Sequence, residues 1–165
     1  MFRLVLAAAV AVAMCYASCD PPDTKLHVED CSSGSPIVVD LSSVAMDPYP
    51  ADPKVPVKLS FSANNKGPQV DQAYIDVGLE YYGSLLWKCG FHSIPIPLKN
   101  LDACKLAGNC PFVTGVKQND ISVDLSPFAS IIETLASNTY YRMTLNIHDG
   151  SGKTLSCIKA SFLLK

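Results

Sequence analysis

Apolar and polar residues alternate with a period of two in several short stretches of this chain, each bounded by Pro, Gly, Asn or Asp. That pattern predicts half-buried strands. The clearest stretch is Val57-Lys58-Leu59-Ser60-Phe61-Ser62-Ala63, where Val57, Leu59, Phe61 and Ala63 share one face. The run Asn64-Asn65-Lys66-Gly67-Pro68 ends it. Residues 73–82 follow, with Ile75, Val77, Leu79 and Tyr81 on one side, and Gly83 is a turn candidate before a strand over 84–91. Later strands are predicted over 120–125 (Ile121, Val123, Leu125), 140–148 (Tyr141, Met143, Leu145, Ile147) and 154–164. Asp149-Gly150-Ser151-Gly152 joins the last two as a hairpin. An opening strand over 36–41 brings the total to about seven at sandwich-like spacing, and no helical segment is long enough for a βαβ unit. The fold class predicted is all-β, an immunoglobulin-like β-sandwich in one domain.

Two apolar stretches do not fit the strand pattern. Phe91-His92-Ser93-Ile94-Pro95-Ile96-Pro97-Leu98 contains prolines that cannot donate to a ladder, so it is expected at an edge or in a loop. Phe128-Ala129-Ser130-Ile131-Ile132-Glu133-Thr134-Leu135-Ala136 falls between strands and is read as a loop. Each stretch either caps the core or forms a greasy rim around an opening at one end of the sandwich.

Composition narrows the class. The 165 residues are 48% hydrophobic and 17% charged, with a formal charge of −2, so a phosphate-neutralising surface is absent and nucleic acid is not an expected partner. Arg3 followed by the apolar run over 4–14 and the small residues Ala17 and Ser18 reads as a secretory signal peptide over residues 1–18, leaving one domain over 19–165. The run is too short for a spanning helix, which needs about 20 residues. Without Arg3, 12 Lys and Arg face 15 Asp and Glu, a charge of −3 that protonation of His27, His92 and His148 brings to about zero near pH 5. An acidic compartment therefore weakens repulsion from anionic membranes. No Asn-x-Ser/Thr sequon occurs.

No catalytic set emerges. Cys89-Gly90-Phe91-His92 has the spacing of half a zinc site but lacks a second pair, so no metal is expected. His148-Asp149 falls at a hairpin, where a solvated turn is the default, and no Ser occupies a G-x-S-x-G elbow. Asp23, Glu29 and Asp30 show no calcium-loop pattern and read as a solvated face. The lysines are scattered singly; Lys88, Lys99 and Lys105 flank the Phe91 stretch, where they could touch anionic headgroups. The chain is expected to be neither an enzyme nor a cofactor binder.

Seven cysteines are present, and removal of residues 1–18 takes Cys15 and leaves six. An even number in an oxidising compartment suits three disulfides, with 15 connectivities open. Cys104 and Cys110 lie close enough for a local staple. A Cys31–Cys157 bridge would tie the ends of the chain, and Cys19 and Cys89 would be left for each other.

Four pieces of the sequence, taken together, resemble the MD-2-related lipid-recognition (ML) domain family. They are Glu29-Asp30-Cys31 ahead of the first strand, Asp102-x-Cys104 through Asn109-Cys110-Pro111-Phe112 with Gly115 following, the aromatic-rich hairpin over 81–87, and Gly152-Lys153-Thr154-Leu155-Ser156-Cys157-Ile158-Lys159. The resemblance covers residues 29–165. It is most similar to ganglioside activator proteins and to phosphatidylglycerol/phosphatidylinositol transfer proteins, and more distantly to the Niemann-Pick type C sterol carrier. Met46-Asp47-Pro48-Tyr49-Pro50 lacks the sterol carrier's extra cysteine pair, and the activators' additional cysteines near 104–110 are absent.

The resemblance implies a sandwich whose sheets splay apart to hold a lipid, with bridges Cys31–Cys157 and Cys104–Cys110 carried over by position. The expected function is binding and transfer of one amphipathic lipid, whether phospholipid, glycolipid or sterol; the alternative is a secreted module that senses lipids through a receptor. Expected inward residues are Phe61, Val77, Leu79, Val123, Leu125, Met143 and Leu145. The expected apolar rim is Phe91, Ile94, Ile96, Phe128, Ile131, Ile132 and Leu135. A monomer is expected in the lysosomal lumen or outside the cell, touching membranes transiently and delivering to a hydrolase or receptor.

Overall fold

The computed structural model describes residue 19 and residues 24–85, 88–108, 110–135 and 139–165. The predicted signal peptide lies outside the described residues. Two antiparallel sheets pack face to face. The larger has the order β1-β9-β8-β4-β5, built from β1 (His27–Asp30), β4 (Tyr74–Leu85), β5 (Lys88–Ile94), β8 (Tyr140–His148) and β9 (Thr154–Leu163). The two-residue β6 (Leu101–Asp102) also pairs with β4. The smaller sheet has the order β2-β3-β7, built from β2 (Ile37–Asp47), β3 (Val57–Asn65) and β7 (Gly115–Val123). This is the β-sandwich that the alternation predicts.

The reason lies in the period of two. In β3, Val57, Leu59, Phe61 and Ala63 are buried while the residues between them are not. Ile75, Val77 and Leu79 of β4 do the same, opposite Ile147, Leu145 and Met143 of β8. Burying such side chains contributes about 1.5–3 kcal/mol each. Because a one-residue slip would turn every one of them to water, the pattern also fixes the register.

Several boundaries differ from the sequence expectation. Gly83 is no turn: β4 continues through it to Leu85, with Gly83 opposite Gly90 of β5. The strand predicted over 120–125 begins at Gly115, because pairing with the whole of β3 extends it through polar residues. Residues 129–135, read as a loop, form the helix α2 (Ala129–Leu135) after a 3-10 turn at Ser126–Phe128. Seven residues are too few to show a helical period against a strand background. A second short helix, α1 (Ala103–Ala107), is capped by Asp102, whose Oδ1 accepts from the Cys104 and Lys105 amides. Gly108 ends it at φ 63°, a left-handed conformation that glycine adopts without strain.

All three disulfides join the partners named above: Cys31–Cys157, Cys104–Cys110 and Cys19–Cys89. Cys89 is thereby unavailable to any metal, and His92 is instead 3.1 Å from the Gly83 carbonyl through Nε2. His148 is not a solvated turn residue. It is buried, stacks on Tyr74 and lies 3.6 Å from Asp76.

Candidate functional site

The sandwich is filled at one end and open at the other. At the filled end Val57, Leu59 and Leu125 on the smaller-sheet side and Tyr141, Met143 and Phe162 of the larger sheet are fully buried members of one core. Toward the other end β3 steps down in size from Phe61 to Ala63, and α1 contributes Ala107. Small side chains on both walls leave a gap. A cavity of about 20 Å³ results, bounded by Phe61, Ala63, Ile121 and Asn119 on one sheet, Ile147 and Ser156 on the other, and Ala107 and Phe112 at its edge.

This cavity leads outward. A pocket of about 330 Å³ lies at the mouth, lined by Gly108, Cys110, Val113, Lys117 and Gln118 among others. Ile37, Ala63, Phe112 and Asn119 line both spaces and so form the passage between them.

The mouth is braced by hydrogen bonds that follow from its sequence. Asn65, at the end of β3, donates both amide hydrogens, to the carbonyls of Pro68 (2.9 Å) and Phe112 (3.0 Å), and accepts from the Gly67 amide (2.9 Å). Its carboxamide is therefore fully used in holding the turn against the Phe112 loop. Val70 and Phe112 exchange two backbone bonds, and Thr114 Oγ1 donates to the Gly67 carbonyl. The Cys104–Cys110 bridge fixes the remaining side of the loop. Around this mouth Val116 is 66% exposed, a large fraction for an apolar residue.

The residues expected to hold lipid are distributed more widely than one site. Phe61 bounds the cavity. Val77, Leu79, Val123, Leu125, Met143 and Leu145 are buried in the packed core without bounding that cavity. Ile94 and Ile96 are likewise buried core residues. Phe91 faces outward: it lies opposite Tyr82 on the outer surface of the larger sheet, with the Arg142 guanidinium 4.0 Å above its ring. Arg142 is held there by Glu80 at 2.7 Å.

The α2 residues lie at the filled end. Strand β7 runs from Gly115 at the mouth to Val123, a rise of about 26 Å, before the chain reaches Phe128 and α2. Ile132 is fully buried, and its carbonyl accepts from Tyr141 Oη at 3.1 Å. Phe128 is partly buried against the core. Of the expected rim residues here, Ile131 (48%) and Leu135 (43%) are exposed, on the helix whose Glu133 pairs with Lys54 at 2.8 Å. The structure therefore does not gather the seven expected rim residues around one opening.

Asn65, Phe112, Lys117 and Asn119 are among the mouth residues that the sequence did not assign to lipid binding. A signal for two of them exists. Continuing the alternation of Val123 and Ile121 backward along β7 gives Asn119 and then Lys117 on the inward face, and polar residues in that register point to an opening.

Similarity to solved structures runs along most of the chain. A Niemann-Pick type C2 protein from the Japanese carpenter ant shares 18% identity, covers 84% of this chain and 99% of its own, and gives a TM-score of 0.47. Chicken MD-1 complexed with lipid IVa shares 11% identity, covers 87% of this chain and 91% of its own, with a TM-score of 0.37. No curated protein sequence matches. The model of the ML domain family matches residues 25–164, nearly the whole of the predicted mature domain, and the chain belongs to the ML domain family.

Proposed function

We propose that this protein binds one amphipathic lipid, with its hydrocarbon between the two sheets, and carries it between membranes or to a hydrolase. One observation carries the reading. The pocket at the mouth continues into the apolar cavity through Ile37, Ala63, Phe112 and Asn119, giving a lipid tail a path inward. As an ML-domain protein the chain is a lipid binder and not an enzyme.

The cavity of about 20 Å³ has room for about one water. An acyl chain therefore enters only as the sheets part at the mouth. Parting them exposes apolar side chains, and the chain that enters covers them again, at about 0.8 kcal/mol for each buried CH₂. The exposed Val116 and the lysines Lys66 and Lys117 at the same end suit a transient meeting with a membrane surface. Three disulfides suit the secretory route, ending outside the cell or in the lysosomal lumen.

The test is uptake of a fluorescent lipid, and its transfer between vesicles, by the wild type and by Ala63→Phe, which fills the passage. Wild-type transfer with loss in the variant, at unchanged circular dichroism, is expected. Equal transfer by both contradicts the path. A stable complex with a receptor and no transfer would favour a lipid-sensing module.

A further inference from the structure

We infer that the outer face of the larger sheet binds an acidic saccharide, in a groove floored by Gly78 and lined by Arg142, Lys159, Thr144, Ser93 and Glu80. The groove lies on the other side of β4 from the cavity, so the inference stands apart from the lipid-binding reading.

Gly78 falls inside β4, a strand of 12 residues. Glycine weakens a strand interior, and its usual reasons there are a bulge, a left-handed φ or the close approach of something to the backbone. The β4–β8 register runs unbroken through Gly78, and its φ is not positive. A Cβ added there would meet only Thr144, at an ordinary 3.7 Å, so no other segment of the chain presses on it. Nothing in the fold calls for glycine, and the remaining reason is a ligand lying against the backbone. The missing side chain leaves a groove of about 440 Å³, within the range of small-molecule sites, about 300–1,000 Å³.

Its walls follow from the ladders. Thr144 and then Lys159 stand beside Gly78 in one cross-strand row, and Ser93, Glu80 and Arg142 stand in the next. Arg142 is fixed before any ligand arrives: its Nε is 2.7 Å from Glu80, and its guanidinium lies 4.0 Å from the centre of the Phe91 ring. Its two outer nitrogens, Lys159 Nζ, Thr144 Oγ1 and Ser93 Oγ have no partner among the described residues. The nearby carboxylates are spent. Glu80 holds Arg142, and Asp76 is taken by the Asn100 amide at 2.8 Å and by Lys99 at 3.6 Å. Glu29, opposite Lys159 in the β1–β9 ladder, lies 3.2 Å from His27 Nε2. What the groove has left to offer is positive charge and hydroxyls.

A guanidinium fork fits a carboxylate, sulfate or phosphate, and an ammonium adds a second contact to the same charge. Side-chain hydroxyls that both donate and accept, beside the free oxygen of Glu80, fit a ring carrying several hydroxyl groups. A sugar bearing an acidic group meets both. A peptide strand does not, because in mid-sheet the backbone groups are committed to the ladder and offer no edge.

The test is calorimetric titration of the secreted protein with glucuronic acid, glucose 6-phosphate and a sulfated disaccharide, beside neutral maltose and an oligoglutamate peptide, repeated for Gly78→Val and Lys159→Gln. At least one acidic sugar is expected to bind at least tenfold more tightly than maltose and oligoglutamate, and whichever binds identifies the acidic group. Gly78→Val fills the groove and Lys159→Gln removes one charge. Each should weaken that sugar at least tenfold while leaving lipid uptake unchanged, and Gly78→Val should melt no lower than wild type. Lys159→Gln alters a half-buried surface side chain and keeps the test readable if Gly78→Val fails to fold. Binding of no acidic sugar, maltose bound as tightly, or acidic-sugar binding indifferent to either folded variant overturns the inference. Oligoglutamate bound as tightly or more tightly overturns it in favour of an acidic protein partner.

Discussion

Asn119 stands directly opposite Phe61 in the β3–β7 ladder, so the polar group of the passage and its bulkiest apolar wall are cross-strand neighbours. Below them toward the filled end come Leu59 opposite Ile121 and Val57 opposite Val123, all buried. Above them come Ala63 opposite Lys117, where the passage opens. One ladder thus grades from dry core to wet mouth. Filling and emptying should be controlled at its upper rungs.

A substitution at the narrow point tests that control. Ala107→Leu, from α1, adds bulk to the cavity edge independently of β3. It should reduce lipid uptake at least tenfold and lower stability by about 1–3 kcal/mol, since the three added carbons exceed the room for about one water that the cavity offers. Uptake assays and thermal melts of the lipid-free protein check both.

The two neighbours on α2 should separate cleanly. Ile131→Asp alters an exposed side chain and should leave stability within about 0.5 kcal/mol of wild type. Ile132→Asp places a carboxylate in a fully buried position and should unfold the domain or lower its melting temperature sharply. Because α2 lies at the filled end, Ile131→Asp should also leave vesicle transfer unchanged. Loss of transfer would move the membrane-facing end to α2.

The disulfides predict a graded series. In the chain-entropy view, opening Cys31–Cys157, with partners 126 residues apart, should cost about 5 kcal/mol. Opening Cys104–Cys110, with partners 6 apart, should cost about 2 kcal/mol. The second change should nevertheless have the larger effect on lipid uptake, because that bridge borders the mouth. Denaturant unfolding and uptake of the paired Ser variants check the order.

Two groups give opposite pH signatures. Burial pushes the Asp76 carboxyl up, but the Asn100 amide at 2.8 Å, Lys99 and His148 together hold it below the usual carboxylate range. A lowered folded-state value means stability present above the unfolded value, about 3.9, and lost as pH falls through the folded one. The stability gap between wild type and Asp76→Asn should therefore close in acid. Tyr141 is pushed up to about 12, chiefly by burial and further by Tyr81. Its contribution should be complete below pH ~10 and be lost as pH rises toward 12. Tyr141→Phe should lose about 1 kcal/mol at neutral pH, from the bond to the Ile132 carbonyl, and show less alkaline destabilisation. Melting temperatures between pH 2 and 12 check both signs.

The sandwich was legible because its strands bury one face each, and alternation such as that of Val57 to Ala63 leaves few other folds open. Cys31–Cys157 and Cys104–Cys110 were legible from spacing together with family position, and Cys19–Cys89 only as the pair left over. The mouth was not. Whether Met143 lines a void or a packed core depends on how far apart two sheets stand, and one strand's pattern carries no such distance. Apolar content suggested a rim at Ile131, yet the opening formed where Ala63 and Ala107 are small and Asn119 breaks an apolar series. An opening is made by missing volume, and the apolar loops drew attention to where volume is present.

The most direct test of a lipid held between the sheets is native mass spectrometry of the protein purified from a secretory host, followed by denaturation and identification of any released lipid. One lipid per protein molecule, lost in Ala63→Phe, is the predicted result. A protein that carries no lipid, and takes up neither phospholipid, glycolipid, fatty acid nor sterol when these are supplied, would contradict the account and indicate a sandwich that stays closed.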